Sequence, residues 1–205
     1  MIPAAGRVVA RRLATIAALL YCMFVGACAS LAPPVALDGK LVDPGMLRDY
    51  AFTGRIAVRQ GESGQSGNLN WSSSGANTRI LLASPLGQAL AELREDSSGF
   101  HLKMSDGRTW NARAADDLTQ QALGYRLPVA GLRYWVFARA DSAGRDNTVL
   151  GSDGRPERIE QNGWKISYTE YQAAAGSTVP RRMQLMRGDL EIRLVLDSWT
   201  LDGRN

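Results

Sequence analysis

Histidine and cysteine are almost missing from this 205-residue chain, which has one histidine, His101, and two cysteines, Cys22 and Cys28. So few ligands cannot build a zinc centre, and no metal site is expected. A Ser-His-Asp triad would need His101 beside a serine on a strand-to-helix elbow, and the chain has no G-x-S-x-G. His101 alternates with Phe100 and Leu102 and is expected on the solvated side of a strand. There is no G-x-x-x-x-G-K-[ST], so work driven by a nucleotide through that motif is excluded, and no cofactor is expected. Gly61, Gly64 and Gly67 fall between strands and read as a flexible turn, not a phosphate cradle. The adjacent acids Asp116 and Asp117 suit a helix start, where the dipole favours them, better than an acid/base pair. No catalytic residue emerges, and the chain is not expected to be an enzyme.

A strong charge balance is also lacking. The formal charge is +4, but Arg7, Arg11 and Arg12 supply three of those charges, and the rest of the chain is close to neutral. A nucleic-acid partner therefore loses its electrostatic argument. No apolar run is long enough to span a bilayer as a helix, since that takes about 20 residues. The longest is Leu13 to Val25, 13 residues preceded by the three arginines. This pattern reads as a signal segment over residues 1–27. It ends in Val25-Gly26-Ala27-Cys28, which resembles the bacterial lipobox. By that resemblance, cleavage precedes Cys28, which then carries a diacylglycerol on sulfur and an acyl group on nitrogen. Cys22 would leave with the signal, so the mature chain can form no internal disulfide. Ala29, and not an aspartate, follows the cysteine, in keeping with outer-membrane delivery.

What remains is mostly short strands. Ala29 to Val42, with Pro33-Pro34 and no periodicity, reads as a tether, so residues 28–45 are assigned to the lipidated N-terminus and 46–205 to one domain. Asp43-Pro44 suits a short helix start. Period-two alternation begins at Phe52 and recurs around Leu69, Ile80, Leu90, Phe100 and Thr109. Gly61 to Gly67 and Ser72 to Asn77 read as turns, and Asp106-Gly107 as a hairpin signal. Two short amphipathic helices are expected next, one over Asp116 to Leu123 ending at Gly124, and one from Pro128 carrying Leu132, Trp135 and Val136. Strands resume at Arg158, with turns at Asn162-Gly163 and Gly188-Asp189, and Trp199 and Leu201 close the chain. The sum is ten or eleven antiparallel strands, closed into a barrel or curled around an insert, with the two helices as a lid over the concave apolar side, leaving a cavity. Trp71, Trp135 and Trp164 lie on apolar faces, and a dry core or an acyl-chain pocket would use them equally.

The stretch from Arg79 to Leu93 stands out. Two apolar runs flank Ser84-Pro85-Leu86-Gly87, whose residues suit a type I turn. Leu86 occupies a turn position that projects into solvent and is normally polar.

Several segments in order resemble the LolB family of outer-membrane lipoprotein receptors. They are Phe52 to Val58, Gly67 to Trp71, Ser84 to Gln88, and Leu127 to Val136. The resemblance implies an unclosed antiparallel barrel with a helical lid over an apolar cavity, and a receptor that is lipid-anchored to the outer membrane and faces the periplasm. Such a receptor accepts acylated lipoprotein cargo from a LolA-like periplasmic carrier and inserts it into the inner leaflet, as a monomer and without nucleotide hydrolysis. It makes Ser84, Pro85, Leu86 and Gly87 the membrane-delivery loop, in contact with outer-membrane lipid. The acyl-chain cavity candidates are Trp71, Ile80, Leu82, Leu102, Leu118, Leu132, Trp135, Val136, Trp164 and Leu194. The competing reading is a lipid-anchored, lipocalin-like module holding a small hydrophobic ligand.

Overall fold

A computed structural model describes residues 37 and 39–203. The expected signal segment, Cys28 and most of the tether lie outside the described residues. Eleven strands form one antiparallel sheet. In chain order they are β1 (Leu47–Gln60), β2 (Ser63–Ser74), β3 (Asn77–Ala83), β4 (Ala89–Asp96), β5 (Gly99–Met104), β6 (Thr109–Ala112), β7 (Asp146–Leu150), β8 (Pro156–Gln161), β9 (Trp164–Ala174), β10 (Ser177–Arg187) and β11 (Leu190–Gly203). The sheet order is β6-β5-β4-β3-β2-β1-β11-β10-β9-β8-β7, so its first and last strands meet in the middle and β6 and β7 are the edges. Two helices, α1 (Ala115–Leu123) and α2 (Val129–Trp135), connect the halves. The expected fold class, an unclosed antiparallel barrel with two short helices, is what forms.

The turns explain the register. Asn162 and Gly163 both have positive φ, at 52° and 76°, which a two-residue hairpin between β8 and β9 requires. On β11 the inward set is Leu190, Ile192, Leu194 and Leu196, all buried. A register shift against β1 at Thr53/Gly54 then inserts one extra residue. The parity flips, and Trp199 becomes inward-facing, packing on Phe52 with ring centroids 4.8 Å apart. Gly54 sits at that bulge because a Cβ there would lie 2.3 Å from the Val195 carbonyl oxygen.

Several expectations need correction. Gly61 to Gly67 is not a turn: only Gly61 and Glu62 turn the chain, and β2 already pairs from Ser63. Only Gly75 and Ala76 turn within Ser72 to Asn77. Small polar residues hide a strand from a hydrophobic pattern, yet their backbones pair as well as any. For the same reason the edge strand β7, largely exposed and without alternation, was not anticipated. Trp199 and Leu201, which close the chain, belong to β11. The last residues of the expected tether pack on the sheet: Leu41 bridges Thr178, Val42 is buried, and the Leu37 carbonyl accepts from Arg155 at 3.0 Å. Pro44–Met46 forms a single 3-10 turn, with the Asp43 carboxylate accepting from Gly45 N–H at 2.9 Å.

Candidate functional site

The concave face of the sheet is covered by the helices. Helix α1 ends at Gly124 with φ 84°, and α2 runs on into a buried turn closed by Ala138 at φ 54°. The Ala138 N–H donates to the Trp135 carbonyl and the Arg139 N–H to the Tyr134 carbonyl, the paired bonds of a Schellman ending. That turn drives Trp135, Val136 and Phe137 into the centre of the half-barrel, all at 1 % exposure or less.

Polar contacts fix α2 on both sides. Trp135 Nε1 donates to Gln161 Oε1 at 3.0 Å, and the Tyr168 hydroxyl donates to the Trp135 carbonyl at 2.8 Å. Gln161 is itself buried and donates back to the Asp141 carbonyl at 2.6 Å. Burial pushes the Tyr168 phenol well up, so it stays protonated and remains a donor. On the opposite side Arg133 pairs with Glu95 and reaches Thr78 Oγ1 at 3.3 Å. Helix α1 is held differently. Its main contacts are to β5, β6 and α2, and its polar ties beyond the helix stay local: the Thr119 hydroxyl accepts from Leu127 N–H at 2.9 Å, Gln120 Nε2 donates to the Gly124 carbonyl at 2.9 Å, and Asp117 pairs with Arg126 at 3.3 Å.

The two ends of the half-barrel differ in chemistry. At the end where β1 begins, a groove of about 530 Å³ is lined by Asp49, Ser72, Ser73, Ser74, Asn77 and Arg94 among others. An acyl chain there would meet hydroxyls and carboxylates that bind water better. At the opposite end lies a smaller apolar opening of about 90 Å³, whose walls are Ile56, Val58, Leu82, Ala83, Leu90, Ala91 and Met104 from the sheet. Leu123, Tyr125 and Leu127, around the α1–α2 connection, form its cover.

The Leu86 loop stands at this opening. Ser84 N–H donates to the Gln88 carbonyl at 2.8 Å and Gly87 N–H to the Ser84 carbonyl at 2.9 Å, while Gly87 takes φ 86°. This is a three-residue hairpin loop, a tight turn followed by a left-handed glycine. The Asn68 side chain fixes its base by donating to the Ser84 carbonyl at 3.1 Å. At the tip Leu86 is 91 % exposed. The residues on either side of the loop, Ala83 and Leu90, are walls of the apolar opening.

Of the cavity candidates, Trp71, Ile80, Leu102, Leu118, Leu132, Trp135, Val136, Trp164 and Leu194 come together in one buried cluster. Leu82 borders the opening. Leu90, Met104, Leu123 and Tyr125 also border it and went unremarked as lining. Their only sequence signal is apolar character beside the Leu86 loop or at a helix end. His101 faces outward, its Nδ1 2.7 Å from Asn111 Oδ1.

The family described as "Outer membrane lipoprotein LolB" matches residues 48–199. The outer-membrane lipoprotein LolB of Thiobacillus denitrificans is 42 % identical over 191 residues, covering 92 % of this chain and 97 % of that relative. The outer-membrane lipoprotein LolB of Cupriavidus necator is 37 % identical over 193 residues, covering 88 % and 95 %. A crystal structure of a DUF1329 family protein from Desulfovibrio piger shares the fold, with a TM-score of 0.51 at 10 % identity, over 78 % of this chain and 88 % of that one.

Proposed function

The chain belongs to the LolB family of outer-membrane lipoproteins, and from that premise we propose how it works. It is a lipoprotein receptor of the outer membrane, anchored through Cys28 and facing the periplasm. It accepts acylated lipoproteins from a LolA-like carrier and places them in the inner leaflet. Residues 1–27 are the signal, 28–45 the lipidated N-terminus and tether, and 46–205 the binding domain, acting as a monomer. No bond is made or broken during transfer. The acyl chains move down a gradient of affinity from carrier to receptor to bilayer. The gradient has ample range, because each exposed CH₂ costs about 0.8 kcal/mol in water.

The observation that carries this reading is the position of Leu86, bare at the tip of a loop whose two flanking strands wall the apolar opening. Ser84, Pro85 and Gly87 hold it there. A leucine entering the bilayer gains about 1.5–3 kcal/mol, too little to anchor a protein but enough to bring the opening against the lipid at release. Acyl chains enter through that opening and take the place of lid side chains against Trp71, Ile80, Leu102 and Leu194. Reconstituted transfer tests it. With Leu86→Glu, acceptance of a lipoprotein from the carrier stays at the wild-type level, and delivery to liposomes slows by roughly an order of magnitude or more. Delivery at the wild-type rate would leave the loop without this role.

A further inference from the structure

The hairpin of β1 and β2 outruns its neighbour. Pairing of β1 with β2 continues to Gln60 and Ser63, but pairing of β2 with β3 stops at Asn68 and Ala83. Ser63 to Gly67 therefore has β1 on one side and no strand on the other. The two-residue turn, with Gly61 at φ 56°, makes Gln60 and Ser63 the hydrogen-bonded closing pair. Ladder alternation then points the backbone N–H and C=O of Gly64 and Ser66 toward the open side. Gly67 marks the foot of this notch, where a Cβ would lie 2.2 Å from the Ala83 carbonyl oxygen. The base of the Leu86 loop borders this foot, with Ser84 Cα 4.0 Å from the same Cβ position.

Exposed edges invite pairing, and proteins usually blunt them with charge, proline or shortness. The sheet's outer edges are short, four residues in β6 and five in β7. Ser63-Gly64-Gln65-Ser66-Gly67 carries no charge and no proline. Its side chains are small or flexible, so another backbone can approach. Gln65, Ser66 and Gly67 also border the apolar opening.

We propose that this unguarded edge of β2 takes the extended polypeptide following the acylated cysteine of a cargo lipoprotein, pairing with it as an added strand. The inference rests on the receptor reading above. With acyl chains in the opening, the cargo cysteine stands at the rim, and the residues after it leave beside Gly64 and Ser66. They are covalently tied to the bound lipid, so their effective concentration at the edge is high. Strand addition reads main chain and not side chains, which suits a receptor whose cargoes differ in sequence.

The test uses the full-length receptor and a short triacylated cysteinyl peptide, either with ordinary amides or with alternate amides N-methylated, and the acylated cysteine without peptide. Methylation is expected to weaken binding roughly tenfold, while two ordinary peptides of unrelated sequence bind alike. Gly64→Pro removes a donor facing away from β1 at a position that does not border the apolar opening. It should weaken the ordinary peptide to the level of the methylated one and leave the methylated peptide and the bare acylated cysteine unchanged. Equal binding of methylated and ordinary peptides to the wild-type receptor overturns the proposal, whatever the variant does. So does a wild-type dimer, seen by sedimentation, that Gly64→Pro dissolves without altering peptide affinity, because the edge would then belong to a second copy. If the acylated cysteine alone fails to bind, the receptor reading falls and the proposal with it.

Discussion

Gly54 and His101 report on the fold from opposite faces of the sheet. At Gly54 the neighbouring strand leaves no room for a side chain, so Gly54→Ala forces the β1–β11 bulge to shift. The expected loss is about 1–3 kcal/mol, read from the midpoint of urea unfolding at an unchanged slope. His101 has its pKa raised above the ordinary value of 6.5, chiefly by its hydrogen bond with Asn111; burial, the next effect in size, opposes the rise, and Asp96 adds to it. A group raised in the folded state adds stability that is fully present below its unfolded pKa and fades as pH rises through the folded one. Because it is the one histidine, its ring signals can be followed alone. The NMR titration midpoint should lie above 6.5 and move down toward it in Asp96→Asn. Leu86 was legible without coordinates, since a serine, a proline and a glycine around a leucine dictate a loop with an apolar tip. Gly54 was not, because its constraint comes from a strand more than a hundred residues away.

Helix α2 acts as a wedge and α1 as a cover. The Trp135 ring folds back over Gly131, where a Cβ would lie 2.5 Å from the ring. Gly131→Ala must therefore push Trp135 away from Gln161, breaking a buried hydrogen bond and unsettling the wedge. We expect a loss of about 1–3 kcal/mol and a tryptophan emission shifted to longer wavelength. Both helices could be placed from the sequence: the acids at Asp116 and Asp117, Gly124 as a left-handed stop and the spacing of Leu132, Trp135 and Val136 suffice. Their depth could not. That Phe137 joins the core depends on a left-handed alanine at 138, a residue type that does not announce such a turn. The strands divide along the same line. Those with one apolar face were legible, whereas both ends of β2 and all of β7 were not, since backbone pairing leaves no trace in hydropathy.

Across the whole molecule, the apolar opening and the proposed cargo do not match in size. A dry cavity of about 150 Å³ admits one benzene, and the opening here holds about 90 Å³. Acyl chains can enter only if part of the lid moves, and the bonding says which part. Helix α2 is tied to β8 and β9 through Gln161 and Tyr168 and to the β3–β4 side through Arg133. Moving it would strand buried polar groups, at about 1–3 kcal/mol for each one left unpaired. Helix α1 and the connection through Tyr125 carry fewer such ties, and their buried surface is largely apolar: Leu118 is fully buried, and Leu123 and Tyr125 cover the opening. Acyl chains can replace apolar contacts with apolar contacts, so the exchange there is close to neutral. Binding a triacylated peptide should therefore speed amide hydrogen exchange over residues 115–127 while residues 129–138 keep their protection. The reverse pattern would make α2 the moving part. Unchanged protection throughout would place the lipid outside the half-barrel altogether.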